Sequence, residues 1–203
     1  ATDSQGLTGT DYTNAIALLS NTDDYMFNVL FTPGLTDEAH SAQISSIIIN
    51  TQNRGDNLFV YDTVNYGSTV AQAITKASTR DSSYAATYWP WVRISDPATG
   101  KLVFVPASTM IPGVYAFNDK VAAPWFAPAG INRGGLNTVQ SAEYKLTAAN
   151  KIYNGDTGTS IGFITSSFIA TGSWAQTTDA FFTTSSTSNN IAFSGSLQEI
   201  RYY

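Results

Sequence analysis

Residues 83–108 read SYAATYWPWVRISDPATGKLVFVPAS. Tyr88, Trp89 and Trp91 surround Pro90, a turn sequence DPATGK follows, and then comes the apolar run Leu102 to Val105. Asp, Pro and Gly supply the dihedrals and local hydrogen bonds of a tight turn, so residues 91–94 and 102–105 are expected to pair as a β-hairpin. That much aromatic surface in one hairpin has three uses: core, a platform for a ligand, or a face covered by another copy of the chain. Aromatic residues in strands more often fill a core or an interface than a sugar-stacking platform. Pro90 adds a lead, because a proline cannot donate to a ladder and so favours an edge strand, where another chain would meet it.

Upstream of the hairpin, strands and helices alternate. TDYTNAIALLSNT, capped by Thr10 or Asp11, spaces Ala15, Ile16 and Leu19 as a helical stripe. Tyr25 to Phe31 is a nearly continuous apolar run closed by Pro33 and Gly34, the pattern of a buried strand. TDEAHSAQISSIIINTQNRG is the strongest helix: Thr36 caps it, Asp37 and Glu38 suit its positive end, and Arg54 and Gly55 close it. Its residues Ala39, Ile44, Ile47 and Ile48 share a face. NLFVYDT reads as a second buried strand, GSTVAQAITKAS as a helix with Val70, Ile74 and Ala77 inward, and YAATYWPWVRIS as a third, longer and more exposed strand. Strand, helix, strand, helix, strand implies βαβ units, hence an α/β fold with a mainly parallel sheet, flanking helices and the β-hairpin.

Downstream, STMIPGVYAFNDKVA reads as a helix with Ser108 as cap and Pro112 in its first turn. APWFAPAGINRGG is too rich in Pro and Gly for regular structure, and TVQSAEYKLTAANKIYN reads as a strand followed by a short helix. From about Asn154 the sequence is dominated by Ser, Thr, Gly and aromatics, which predicts several short strands. The expected division is an α/β body over residues 1–150 and a smaller all-β segment over 151–203, an insertion or a piece of a second domain. The chain opens without Met and closes on LQEIRYY, so a fragment of a longer chain, or joined pieces of one, is expected.

Composition narrows the function. The chain has 203 residues, 43% of them apolar, enough to bury a core. Only 12% are charged, about half the ordinary share, so the surface is finished with Ser, Thr, Asn and Gly. Such surfaces repel one another weakly, which suits assembly. A net charge of −5 with no run of Lys or Arg argues against a groove for nucleic acid. The absence of cysteine removes disulfides and thiolate metal sites. No apolar run approaches the roughly 20 residues that span a bilayer, so no membrane insertion is expected. The opening stretch has neither the basic region nor the apolar core of a signal peptide.

Catalytic chemistry finds little support. His40 is the one histidine, and no nucleophile elbow or other hydrolase motif accompanies it, so it reads as a helix-surface residue. One His and no Cys leave no zinc site. Asp62 ends a strand, and Asp23, Asp24 and Asp37 lie near another strand or a helix start; ligands collect at strand C-termini in open α/β sheets. No phosphate loop follows any strand, and the single glycine of TPGLTDE is more simply a tight turn and helix cap. Arg133, in INRGG, could present its guanidinium to an anion or dock on a neighbouring subunit. The expectation is no catalytic residue, no metal and no cofactor.

SYAATYWPWVRISDPATGKLVFVPAS, then IPGVYAFND, then PWFAPAGINRGGL, in this order and spacing, resemble the tail sheath proteins of contractile-tailed bacteriophages. The upstream alternation and SAEYKLTAAN fit the same pattern, so the resemblance spans about Gly6 to Asn150, with marine cyanobacterial phages the nearest in character. It implies a structural protein of the virion, assembled in the host cytoplasm. Its subunits would form a homopolymer of stacked rings or helices around the tail tube protein, meeting baseplate and tail terminator proteins at the ends. The polymer would shorten to drive the tube through the host envelope. No direct nucleic acid contact is implied. Trp89, Trp91, Phe126 and Arg133, with the loop Ala127 to Gly135, are the expected core and interface residues. A charge reversal at Arg133 is expected to impair polymerisation without unfolding the monomer.

The resemblance lapses after Asn150, where sheath chains usually continue into a further α/β domain that links subunits by strand exchange. NNIAFSGSLQEIRYY instead resembles the closing strands of a concanavalin- or laminin-G-like sandwich. That implies a second reading, a virion surface module that binds host glycans through its C-terminal segment. The sheath of a bacterial contractile injection particle is a close relative of the first reading and is also compatible with the sequence.

Overall fold

A computed structural model describes residues 6–122, 128 and 133–145, and the strand backbones of 162–165 and 168–169. The chain is mixed α/β. Helix α1 (Gly9–Leu19) leads into β1 (Val29–Thr36), α2 (Ser41–Arg54), β2 (Leu58–Asp62), α3 (Val70–Ala77) and β3 (Ala85–Trp89). Then follow β4 (Val92–Ser95), β5 (Leu102–Val105), a 3-10 turn (Ala107–Thr109), α4 (Ile111–Val121) and β6 (Val139–Ala142). β1, β2 and β3 lie side by side in parallel, and β7 (Gly162–Thr165) and β8 (Phe168–Ile169) continue that sheet beyond β3. A second, antiparallel sheet has the order β5-β4-β6.

β2 explains the layering. Every residue of LFVYD is buried, as in a central strand covered on both faces. Side chains alternate along a strand, so Leu58 and Val60 face one way and Phe59 and Tyr61 the other. Phe59 and Tyr61 pack with Leu35, Ile44, Ile47 and Ile48, against which Tyr12 and Ile16 of α1 also rest. Leu58 and Val60 pack with Val92, Ala107, Ile111, Val114, Tyr115, Leu136 and Val139. The second core therefore joins the hairpin sheet and α4 to the parallel sheet. Tyr88 and Tyr115 seal it with a hydroxyl–hydroxyl hydrogen bond and edge-on rings.

Several local expectations shift. α1 is capped by Thr8, not by Thr10 or Asp11. The Thr8 hydroxyl accepts the Asp11 N–H, and the Asp11 carboxylate accepts the Thr8 N–H at 2.7 Å. This reciprocal box uses the acid at the third helical position. Tyr12, Ile16 and Leu19 form its half-buried stripe, while Ala15 is exposed. β1 starts at Val29, is partly exposed, and runs through Pro33 and Gly34 instead of stopping there. It tolerates the proline because it is an edge strand. A register shift between Phe31 and Thr36 absorbs the distortion, with Gly34 at φ 87°.

Thr36 caps no helix. The N–H groups of Asp37 and Glu38 donate to the carbonyls of Asp62 and Thr63, extending the strand contact and delaying α2 to Ser41. Ala39 is consequently exposed in the turn, outside the buried face of α2. The C-terminus of α2 is as read, with Gly55 left-handed at φ 71°. YAATYWPWVRIS is not one strand but two, in different sheets, divided at Pro90, whose missing N–H cannot continue a ladder. The hairpin pairs Val92 with Val105 and Ser95 with Leu102, and β6 extends it to three strands. Most of the Ser/Thr-rich tail and the short helix expected after β6 lie outside the described residues.

Candidate functional site

The C-terminal ends of β1 and β2 are where an α/β sheet would hold a ligand. Here that end is filled by the protein's own groups. Asp62 is buried, and its carboxylate accepts the Ser108 N–H at 3.0 Å and the Ser108 hydroxyl at 2.6 Å. Burial pushes the Asp62 carboxyl up to about 6, against the hydrogen bonds from Ser108 and the Gly34 amide that favour its charged form. Ser108 sits in the 3-10 turn and is not the cap of α4, because this carboxylate already takes its hydroxyl.

Beside it Asp37, also fully buried, accepts from the Arg80 guanidinium at Nε and Nη2, with the Lys76 ammonium 3.5 Å away. The Asp37 hydrogen bond raises Arg80 above its ordinary value. Arg80 also reaches the Ser41 carbonyl and the hydroxyls of Ser41 and Ser45, tying the residues after α3 to the start of α2. Thr63 and Thr87 hydroxyls bond each other between β2 and β3, and Thr36 donates to Asn65 at 2.6 Å. Burial, and then the nearby Asp37 charge, push the Tyr61 phenol up.

These groups hold strand ends, a helix start and the hairpin connection together. The two cations Arg80 and Lys76 offset the Asp37 charge, and TPGLTDE forms the end of β1 and the turn before α2. Asp23 and Asp24 do not join these groups; they are exposed at the opposite end of the sheet, just before β1. His40 stands at the start of α2 without a side-chain capping bond. Among the described residues, no three His, Cys, Asp or Glu side chains lie together as a metal would need. No helix among them is long and apolar enough to cross a membrane.

The two hairpin tryptophans part company. Trp89 ends β3 on the helix side, 1% exposed, packed with Val64, Ala73 and Ala77, its ring 5.5 Å from that of Tyr144. Trp91 is half-buried, and its indole N–H donates to the Val64 carbonyl at 3.1 Å. Arg133 is half-buried and engaged within the chain, and Phe126 lies outside the described residues. The loop Ala127 to Gly135 is described only in part.

Around Trp91 an aromatic face opens to solvent. The Tyr66 ring stands 5.8 Å from Trp91, edge-on, and 5.1 Å from Phe104; the Arg93 guanidinium lies 5.8 Å from the Phe104 centroid. Glu143 backs the face: its N–H donates to the Trp91 carbonyl, and its carboxylate accepts the Gly67 N–H. Burial raises the Glu143 carboxyl, opposed by that hydrogen bond. Tyr66 and Phe104 were missed in the sequence. Phe104 could have been found, since strand alternation puts it on the face of Arg93 and Trp91, away from Val105.

No family model matches the chain, and no curated protein matches it. Among solved structures it is similar to a sheath tail protein from Desulfitobacterium hafniense, at 14% identity and a TM-score of 0.50. The match covers 97% of this chain and 41% of that one, so the chain spans about two fifths of the sheath tail protein's length. At this identity the likeness shows the fold, a sheath-like α/β arrangement.

Proposed function

We propose that the chain is a structural piece of a contractile tail sheath, polymerising around a tail tube and shortening to drive it through a cell envelope during genome delivery. The observation that carries this reading is the shared fold with a sheath tail protein over nearly the whole chain. The closed polar network supports it: a body braced from strand end to helix start suits a subunit that moves as a unit while its neighbours rearrange. Energy is then stored in the difference between two packings of the same subunits. The partners are further copies, the tube protein, and the baseplate and terminator proteins at the ends. The polymer forms in the host cytoplasm and ends in the virion. Electron microscopy of the native assembly tests this. A striated cylinder around a tube is expected, and isolated globular particles would overturn it.

A further inference from the structure

The hairpin sheet has an inner and an outer face. Val92, Ile94 and Val105 belong to the core, so strand alternation turns Trp91, Arg93, Leu102 and Phe104 outward. With Tyr66 they form one continuous surface, and Tyr66 is 54%, Leu102 42% and Phe104 36% exposed. The hairpin's cations, Arg93 and Lys101, have no carboxylate within salt-bridge distance among the described residues. Its one acid, Asp96, is folded back onto the Ala98 N–H and the Thr99 hydroxyl. Glu38 and Glu143, the other acids nearby, are turned to the N–H groups of Asn65 and Gly67.

A surface of the opposite character exists on the same chain. Asp23 and Asp24 are exposed, and Met26, 88% exposed, is the most exposed large apolar side chain described. Arg54 pins this turn by donating to the Tyr25 carbonyl at 2.8 Å and lying over the Phe27 ring, while its charge is matched by Asp56. The turn therefore presents net negative charge around a flexible thioether. Residues 23–26 precede β1, whereas Tyr66 follows β2 and Trp91 follows β3. Because these strands are parallel, the two surfaces lie at opposite ends of the sheet.

We propose that the Tyr66, Trp91, Arg93 and Phe104 face receives the Asp23–Met26 turn of a second copy of this chain, as a head-to-tail contact. Charge complementarity selects the occupant: Asp23 and Asp24 meet Arg93, and the Met26 sulfur meets aromatic rings, a favourable pairing. Two different surfaces in contact make a heterologous interface. It does not close on itself in one pair, so it propagates into a ring or an open filament. The inference rests on the sheath reading and adds which surfaces join.

The test uses the whole 203-residue chain, with sedimentation velocity and negative-stain electron microscopy. Two variants are made, Arg93→Glu, and Asp23→Lys with Asp24→Lys. Circular dichroism and thermal melts check their folding, and Arg93→Lys serves as the conservative variant should the reversal fail to fold. Each reversed variant alone is expected to associate at least tenfold more weakly than the unsubstituted chain. Mixed, they should regain association, since the intact turn of one meets the intact face of the other and the two reversed surfaces are again opposite in charge, while Arg93→Lys assembles normally. If the unsubstituted chain forms cylinders and the reversed variants do so equally well, the contact is overturned and the sheath reading stands. If the mixture stays monomeric, the head-to-tail pairing is overturned. If the unsubstituted chain never associates, both fall. Binding to a glycan array that Phe104→Ala abolishes, with assembly unchanged, would reassign the face to a ligand and overturn the contact.

Discussion

Ser108 grips Asp62 twice, through its backbone N–H at 3.0 Å and its hydroxyl at 2.6 Å, across 46 residues of sequence. This is the polar tie between the end of β2 and the connection from hairpin to α4. Ser108→Ala removes the hydroxyl donor and leaves a buried carboxylate oxygen with less compensation. Hydrogen bonds to charged groups contribute about 1.5–3 kcal/mol, so a loss of that size is expected in urea unfolding. A change below about 0.5 kcal/mol would show that Asp62 finds another donor.

The same carboxyl sets a pH dependence. Asp62 is raised from 3.8 to about 6 in the folded chain, so between those values the folded state binds the proton the unfolded state has released. Stability from this group is fully present below about 4 and is lost as pH rises through about 6. A displacement of about two pKa units corresponds to a loss on the order of 3 kcal/mol by neutral pH. Asp62→Asn cannot titrate, so the difference between the two chains isolates the effect. The unsubstituted chain should gain on the variant as pH falls from 7 to 5. A constant difference across that range would refute the assignment.

Arg80 faces a harder test, because Asp37 is fully buried beneath it. Removing one partner of a buried pair costs about 3–5 kcal/mol, since the other charge is left in a poor dielectric. Lys76, 3.5 Å from Asp37, offsets part of this, so Arg80→Ala should fall at the lower end. Combined with Asp37→Asn, the loss should be well short of the sum of the single losses, as chemical denaturation of the four chains would show. Simple additivity would mean that the two side chains do not act as a unit.

Much of the fold was legible because burial wrote it into local patterns. Leu58 to Asp62 could be read as a central strand, and Ile44, Ile47 and Ile48 as the buried face of a helix, because periodicity reports which sides are covered. Asp96 to Lys101 announced the hairpin through turn chemistry. What could not be read depended on partners far along the chain. Thr36 and Ser108 look like helix caps, yet Asn65 and Asp62 take their hydroxyls. Trp89 and Trp91 look alike in sequence, but Pro90 sends one into the core under α3 and leaves the other beside the solvent-exposed Tyr66 ring.

That separation makes the tryptophans distinguishable by mutation. Trp89 is 1% exposed, so Trp89→Ala opens a large cavity and should cost about 3–5 kcal/mol. Trp91 is half-buried, and Trp91→Ala should cost about half as much. Thermal unfolding of the two variants decides it. Equal losses would mean that Trp91 is held as tightly as Trp89.

The Tyr88 and Tyr115 hydroxyls extend the same reasoning to the contact between β3 and α4, where their hydrogen bond closes the core beneath the hairpin sheet. Burial pushes the Tyr88 phenol up to about 12, with the Tyr115 hydrogen bond opposing it, so the hydroxyl stays protonated throughout the neutral range. Tyr115→Phe removes its partner and leaves a buried polar oxygen, at a cost of about 1–3 kcal/mol. Replacing both by Phe removes the polar pair while keeping the ring packing, so the double variant should lose clearly less than the sum of the two single variants. Equilibrium unfolding of the four chains gives the coupling. A coupling near zero would show that the rings, packed edge-on, hold α4 without help from the hydroxyls.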